Sequence, residues 1–102
     1  MLVLPAELTH AQAETCLNML RKAARAERDP LVLVDASPLL RFDSSALAVL
    51  LACRRECLHE GQRFAVHGLA PRLRELADLY GVAPLLPAPD GLAAAATAEA
   101  VS

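Results

Sequence analysis

LVLVDASPLLRFDSSALAVLL, residues 31–51, decides how the rest of the chain is read. Leu31-Val32-Leu33-Val34 is an unbroken aliphatic run closed by Asp35. It is too short for a helix and does not alternate. Such a run marks a strand buried on both faces, and therefore a central strand of a parallel sheet. A loop from Ala36 to Phe42 follows, with Pro38 inside it. Asp43 then opens a helix that runs to about Glu60, where Gly61 supplies a stop. One acid and two hydroxyls thus stand at the head of a helix whose next residues are all apolar.

The flanking sequence repeats this strand-then-helix order. Met1 to Leu4 reads as a strand ended by Pro5. Thr9 can cap a helix from His10 to about Glu27, with Ala13, Leu17, Leu20 and Ala24 on one face. Arg28-Asp29-Pro30 breaks it. On the other side, Arg63 to His67 reads as a strand with Phe64 and Val66 on one face. Gly68 leads into a third helix, with Pro71 in its first turn. Leu73, Leu76, Ala77 and Tyr80 form its apolar stripe. Gly81 can cap it, and Val82 to Leu86 reads as a last short strand. The order is βαβαβα with a further β, which implies parallel pairing in a single small α/β domain. That domain is expected over residues 1–87. Residues 88–102 read as a Pro/Ala-rich, poorly ordered tail.

Composition narrows the function classes. The 102 residues are 55% hydrophobic with a formal net charge of −2, enough apolar content for one core. No dense basic face suggests a nucleic-acid partner, and Phe42, Phe64 and Tyr80 are too scattered for base stacking. Four glycines leave little room for a phosphate loop. Ser44 and Ser45 are not in a nucleophile elbow, so no catalytic residue is assigned. Cys16, Cys53 and Cys57 form no CxxC pair and read as buried thiols rather than metal ligands. Asp35 and Asp43 fall at one end of the sheet and read as turn former and cap. No cofactor and no metal are expected. No secretory signal or membrane-spanning run is seen, and a cytoplasmic location is the expectation.

That leaves the junction. Asp43 serves as an N-cap, a role whose loss typically costs about 1 kcal/mol. The helix beyond it is apolar almost all round. Leu47, Leu50, Leu51 and Leu58 share one face, while Ala46, Val49, Cys53 and Cys57 share the next. One face packs on the sheet. The other is covered by further helices or the tail, or it is free for a partner. The candidate interface is therefore Asp43, Ser45, Ala46, Leu47 and Leu50 around Ser44. A helix N-terminus favours anions, so a phosphate on Ser44 would be tolerated by the fold and would act on binding.

At these residues the chain resembles the STAS domain family. The stretch quoted above is similar to its signature, an aliphatic strand ending in Asp, a loop, then D-S opening a helix. PAELTHAQAETCLNML and EGQRFAVHGLAPRLRELADLYGVAPLLP resemble the family's first turn and helix and its closing strand and helix. The resemblance implies a mixed, mostly parallel sheet with helices packed on it, and a non-enzymatic binding module. The closing segment, with its L-A-x-L-Y stretch, resembles the MlaB-like branch. That branch implies a subunit docked on the MlaF-like ATPase of a phospholipid-transport ABC complex, and through it on the permease. Such a subunit lies peripheral to the inner membrane without inserting, and Ser44 is its contact residue. The alternative branch is the anti-sigma factor antagonists, which implies phosphorylation of Ser44 by an anti-sigma factor kinase. The family usually has Gly where this chain has Ala46. The family's usual first strand is not expected in this sequence, which would leave an open sheet edge that favours pairing with another chain, such as a homodimer, or a shorter sheet, or reflect a truncated start.

Overall fold

The computed structural model describes residues 1–89. The described chain runs β1 (Leu2–Val3), β2 (Glu7–Leu8), α1 (His10–Ala26), β3 (Leu31–Asp35), β4 (Arg41–Phe42), α2 (Ser45–His59), β5 (Arg63–His67), α3 (Pro71–Leu79) and a 3-10 turn at Ala83–Leu85. The expected tail, residues 88–102, lies almost wholly outside the described residues.

Two parallel sheets are present. The larger has the order β1-β3-β5, so the aliphatic run at 31–34 is the central strand, as its sequence predicts. Its burial is one-sided, however. Val32 and Val34 are fully buried in the core, whereas Leu31 and Leu33 on the opposite face are only partly covered. The smaller sheet pairs Glu7 with Arg41 and Leu8 with Phe42. Its strand β4 falls where a plain loop was expected. The N–H groups of Leu40 and Arg41 both donate to the Ala6 carbonyl, at 2.8 and 3.0 Å, and this draws the loop's end alongside β2. Two residues are too few for any periodicity to reveal.

The expected last strand at Val82–Leu86 is instead the 3-10 turn, closed by the N–H groups of Leu85 and Leu86 on the carbonyls of Val82 and Ala83. Pro84 suits such a turn because its φ is already set and it has no donor to lose. The turn delivers Leu86 into the core, where it is fully buried. Val66 of β5 then donates to the Pro87 carbonyl at 2.8 Å, one bond rather than a ladder.

The helices explain the apolar excess of α2. It packs against both α1 and β5, so two sides of it are covered. Ala46, Leu47, Val49, Leu50, Cys53 and Cys57 are all buried. Of the two readings of its second apolar face, coverage by a neighbouring helix holds: α1 supplies it through Cys16, Leu20 and Ala24. At the start of α1, Gln12 reaches back and accepts from the Thr9 N–H (2.9 Å) and hydroxyl (2.7 Å), fixing the predicted cap. No charged or polar side chain is buried among the described residues.

Candidate partner-docking site

Each helix follows a strand of a parallel arrangement, so the starts of α1, α2 and α3 gather beyond the carboxyl ends of the strands. In parallel α/β folds this is the end where binding residues collect. Here it brings together the turns at Pro5–Thr9, Asp35–Ser45 and His67–Ala70.

Asp43 ties two of these helix starts together. One carboxylate oxygen accepts the Ser45 N–H at 2.8 Å, and the other accepts the His10 N–H at 3.1 Å. It therefore satisfies donors at the heads of both α2 and α1, which would otherwise have only water. The backbone bond from Ser45 first, then that from His10, holds its carboxyl below the usual carboxylate range. The predicted cap is present, but it serves one helix more than its sequence position suggests.

Ser44 directly precedes α2 and already has helical backbone angles, φ −62 and ψ −18. Its carbonyl accepts the N–H groups of Leu47 and Ala48. Its side chain is exposed and makes no capping bond, because Asp43 has taken that task. The hydroxyl thus stands outward on a fixed backbone. Ser45 is half-buried beside the Asp43 carboxylate.

The other candidate residues fall elsewhere. Ala46 and Leu50 are fully buried and Leu47 is 3% exposed, so their side chains are core and not surface. The reason is geometric: a sequence shows that a face is apolar, not which neighbour covers it. The outward face of α2 is instead Ser44, Ala48, Leu51, Ala52 and Arg55, which are exposed or half-exposed. Leu40, in the loop before β4, is 81% exposed. Neither was read from the sequence. Leu39 and Leu40 look alike there, yet only Leu39 is buried. The spacing of Ala48 and Ala52 from Ser44 was the available signal.

The neighbouring turn is built around Asp35. Its carboxylate accepts the Ser37 N–H (3.0 Å) and hydroxyl (2.6 Å), and the hydroxyl bond is the main cause of its lowered pKa. Gly68 presses against this turn. It has φ +72, and a Cβ there would meet the Ser37 Cβ at 2.8 Å. Glycine is required on both counts. Both acids at this end are thus engaged by backbone and hydroxyl groups as turn former and cap.

The three thiols lie between α1 and α2 and are buried. Burial, with Cys57 close by, pushes the Cys53 thiol up to about 12. Cys16 and Cys57 are also raised, chiefly by burial. They are protonated packing groups at neutral pH. Among the described residues no group of three or more His, Cys, Asp or Glu is placed to hold a metal ion. Nor is any described helix long and apolar enough to cross a membrane.

The fold is a small α/β domain with an outward-facing start to α2. Residues 1–87 match the family described as Mlab, STAS domain, and the chain belongs to that family. Its fold is similar to the solved structure of the anti-sigma factor antagonist SpoIIAA in its unphosphorylated form. The TM-score is 0.67 at 19% identity, covering 98% of this chain and 87% of that one.

Proposed function

We propose that this chain is a non-catalytic binding subunit that docks on and supports the ATPase of a phospholipid-transport ABC complex, reaching the permease through that ATPase. The observation that carries the reading is the match of residues 1–87 to the Mlab-described STAS family. The site supports it. Ser44 presents an unused hydroxyl on a backbone held by Asp43 at two helix starts. An exposed polar point on a backbone held in place suits recognition of a protein surface, since little freedom is lost on docking. In this role the chain works at the cytoplasmic side of the inner membrane without entering it.

The test is co-purification with the ATPase subunit from the same source. Ser44→Glu should weaken the complex and leave the melting temperature of the isolated chain unchanged. Full recovery of the complex by that variant would sink the reading of Ser44 as a contact.

The similarity to SpoIIAA favours a second reading, an anti-sigma factor antagonist regulated by phosphorylation of Ser44. The exposed hydroxyl is open to a kinase, and the start of α2 would tolerate the added charge. Incubation with an anti-sigma factor kinase of the same source should then add one phosphate to the intact mass. Ser44→Ala should abolish that gain.

A further inference from the structure

The outward face of α2 continues from Ser44 into a groove of about 270 Å³ between α1 and α2. Ala48, Leu51 and Ala52 line it from α2, and Arg21, Arg55 and Glu56 flank them. Ala48, Ala52 and Arg55 lie four, eight and eleven residues from Ser44, so all fall on one helical face.

The charges at the rim do not balance. Glu56 is shared by two cations: its Oε1 accepts from Arg25 at 3.2 Å, and its Oε2 lies 3.8 Å from the Arg21 Nε. At that distance the Arg21 contact is an ion pair without a hydrogen bond. The Arg21 Nε is itself buried and has no hydrogen-bond partner. Arg55 is exposed and forms no ion pair among the described residues. Arg21 and Arg55 thus flank the groove with a single carboxylate, Glu56, which is already engaged by Arg25.

We propose that this groove receives an acidic amphipathic helix of the partner protein. Small or aliphatic side chains of that helix rest on Ala48 and Ala52, and a carboxylate enters between Arg21 and Arg55. The methyl side chains let a helix backbone come close, as helix-on-helix packing requires. The excess positive charge selects the acid. The inference rests on the docking reading and extends it from a single hydroxyl at Ser44 to a surface three turns long.

The experiment measures the affinity of the full-length chain for the purified ATPase subunit, and in parallel for the anti-sigma factor kinase. Wild type, Arg55→Glu and Ala48→Trp are compared at low and high salt. Both substituted positions are outward-facing, and circular dichroism melts check that each variant is folded. Arg55→Glu should weaken binding about tenfold or more, Ala48→Trp should do so at any salt, and wild-type binding should fall as salt rises. Loss with Ala48→Trp but none with Arg55→Glu or salt would overturn the acidic partner. Wild-type affinity in both variants would overturn the groove. Binding of the kinase and not the ATPase would sink the transport reading, while the same variants would still decide the groove. Binding of neither protein would end both proposals.

Discussion

The two sides of α2 differ more from each other than α2 differs from its neighbours. The inward side, with Ala46, Leu47, Leu50, Cys53 and Cys57, is almost completely removed from water. The outward side begins at Ser44 and passes through Ala48 and Ala52 to Arg55. Apolar residues occur on both sides, so hydrophobicity alone does not separate the side that holds the fold from the side offered to a partner. Leu47, Val49, Leu50, Cys53 and Cys57 fill the inward side together with Ala46, while Ala48 and Ala52 occupy successive turns of the outward one beside Leu51. Small side chains in the middle of an exposed helix face gain the fold little by burial but leave a neighbouring surface room to approach.

Substitutions should therefore divide by side. The largest effect is expected at Leu50, which has no exposed surface. Leu50→Ala should lower the unfolding free energy by about 2–5 kcal/mol in urea denaturation, through lost burial and the cavity left behind. Leu47→Arg belongs with it. The charge would enter the core, so loss of partner binding by that variant would report unfolding and not a lost contact. A folded Leu47→Arg chain with normal melting would break the comparison.

The next effect lies outside α2, at the turn that supports its start. Gly68→Ala combines a positive φ with a clash against Ser37, and should cost about 1–3 kcal/mol in the same measurement.

Asp43 sharpens the comparison through pH. Its folded pKa is depressed, so its contribution is complete above the ordinary carboxylate range and is lost as pH falls through the folded value. Asp43→Ala should lower the melting temperature near pH 7. The gap to wild type should close only as pH falls below the ordinary carboxylate range and through the lowered folded value, where the wild-type carboxylate is protonated as well. An equal gap above and below that value would argue that the two backbone bonds do not depend on the charge.

The thiols test the inward side from the alkaline end. Cys53 has a raised pKa of about 12, so the folded state keeps its proton where the unfolded chain loses it. That stability is complete below the unfolded value of about 8.5 and declines as pH rises from there toward the folded value. Iodoacetamide should add no mass to the native chain and should label all three cysteines after denaturation.

The smallest effect on stability is expected at Ala48. Ala48→Arg should change the unfolding free energy by no more than about 0.5 kcal/mol, as for an ordinary exposed position. Its effect on partner binding should nevertheless be large. A position silent in the melt and decisive in the complex is what the outward side predicts.

Much of this was legible in the chain itself. The run at 31–34, the broken helix patterns and the punctuating Gly and Pro residues determined the three helices, the strands near residues 1–4, 31–35 and 63–67, and the central place of β3. They did so because periodicity, capping and chain breaks are local, each written within a few residues. Ser44 and Asp43 were singled out on the same grounds. Tertiary structure alone decided which apolar face of α2 is covered and that Asp43 serves α1 as well as α2. It also decided that Arg41–Phe42 pairs with β2, that Leu31 and Leu33 are only partly buried, and that Leu40 is exposed beside a buried Leu39. Each of these depends on what another part of the chain brings into contact, across a separation that no local pattern records.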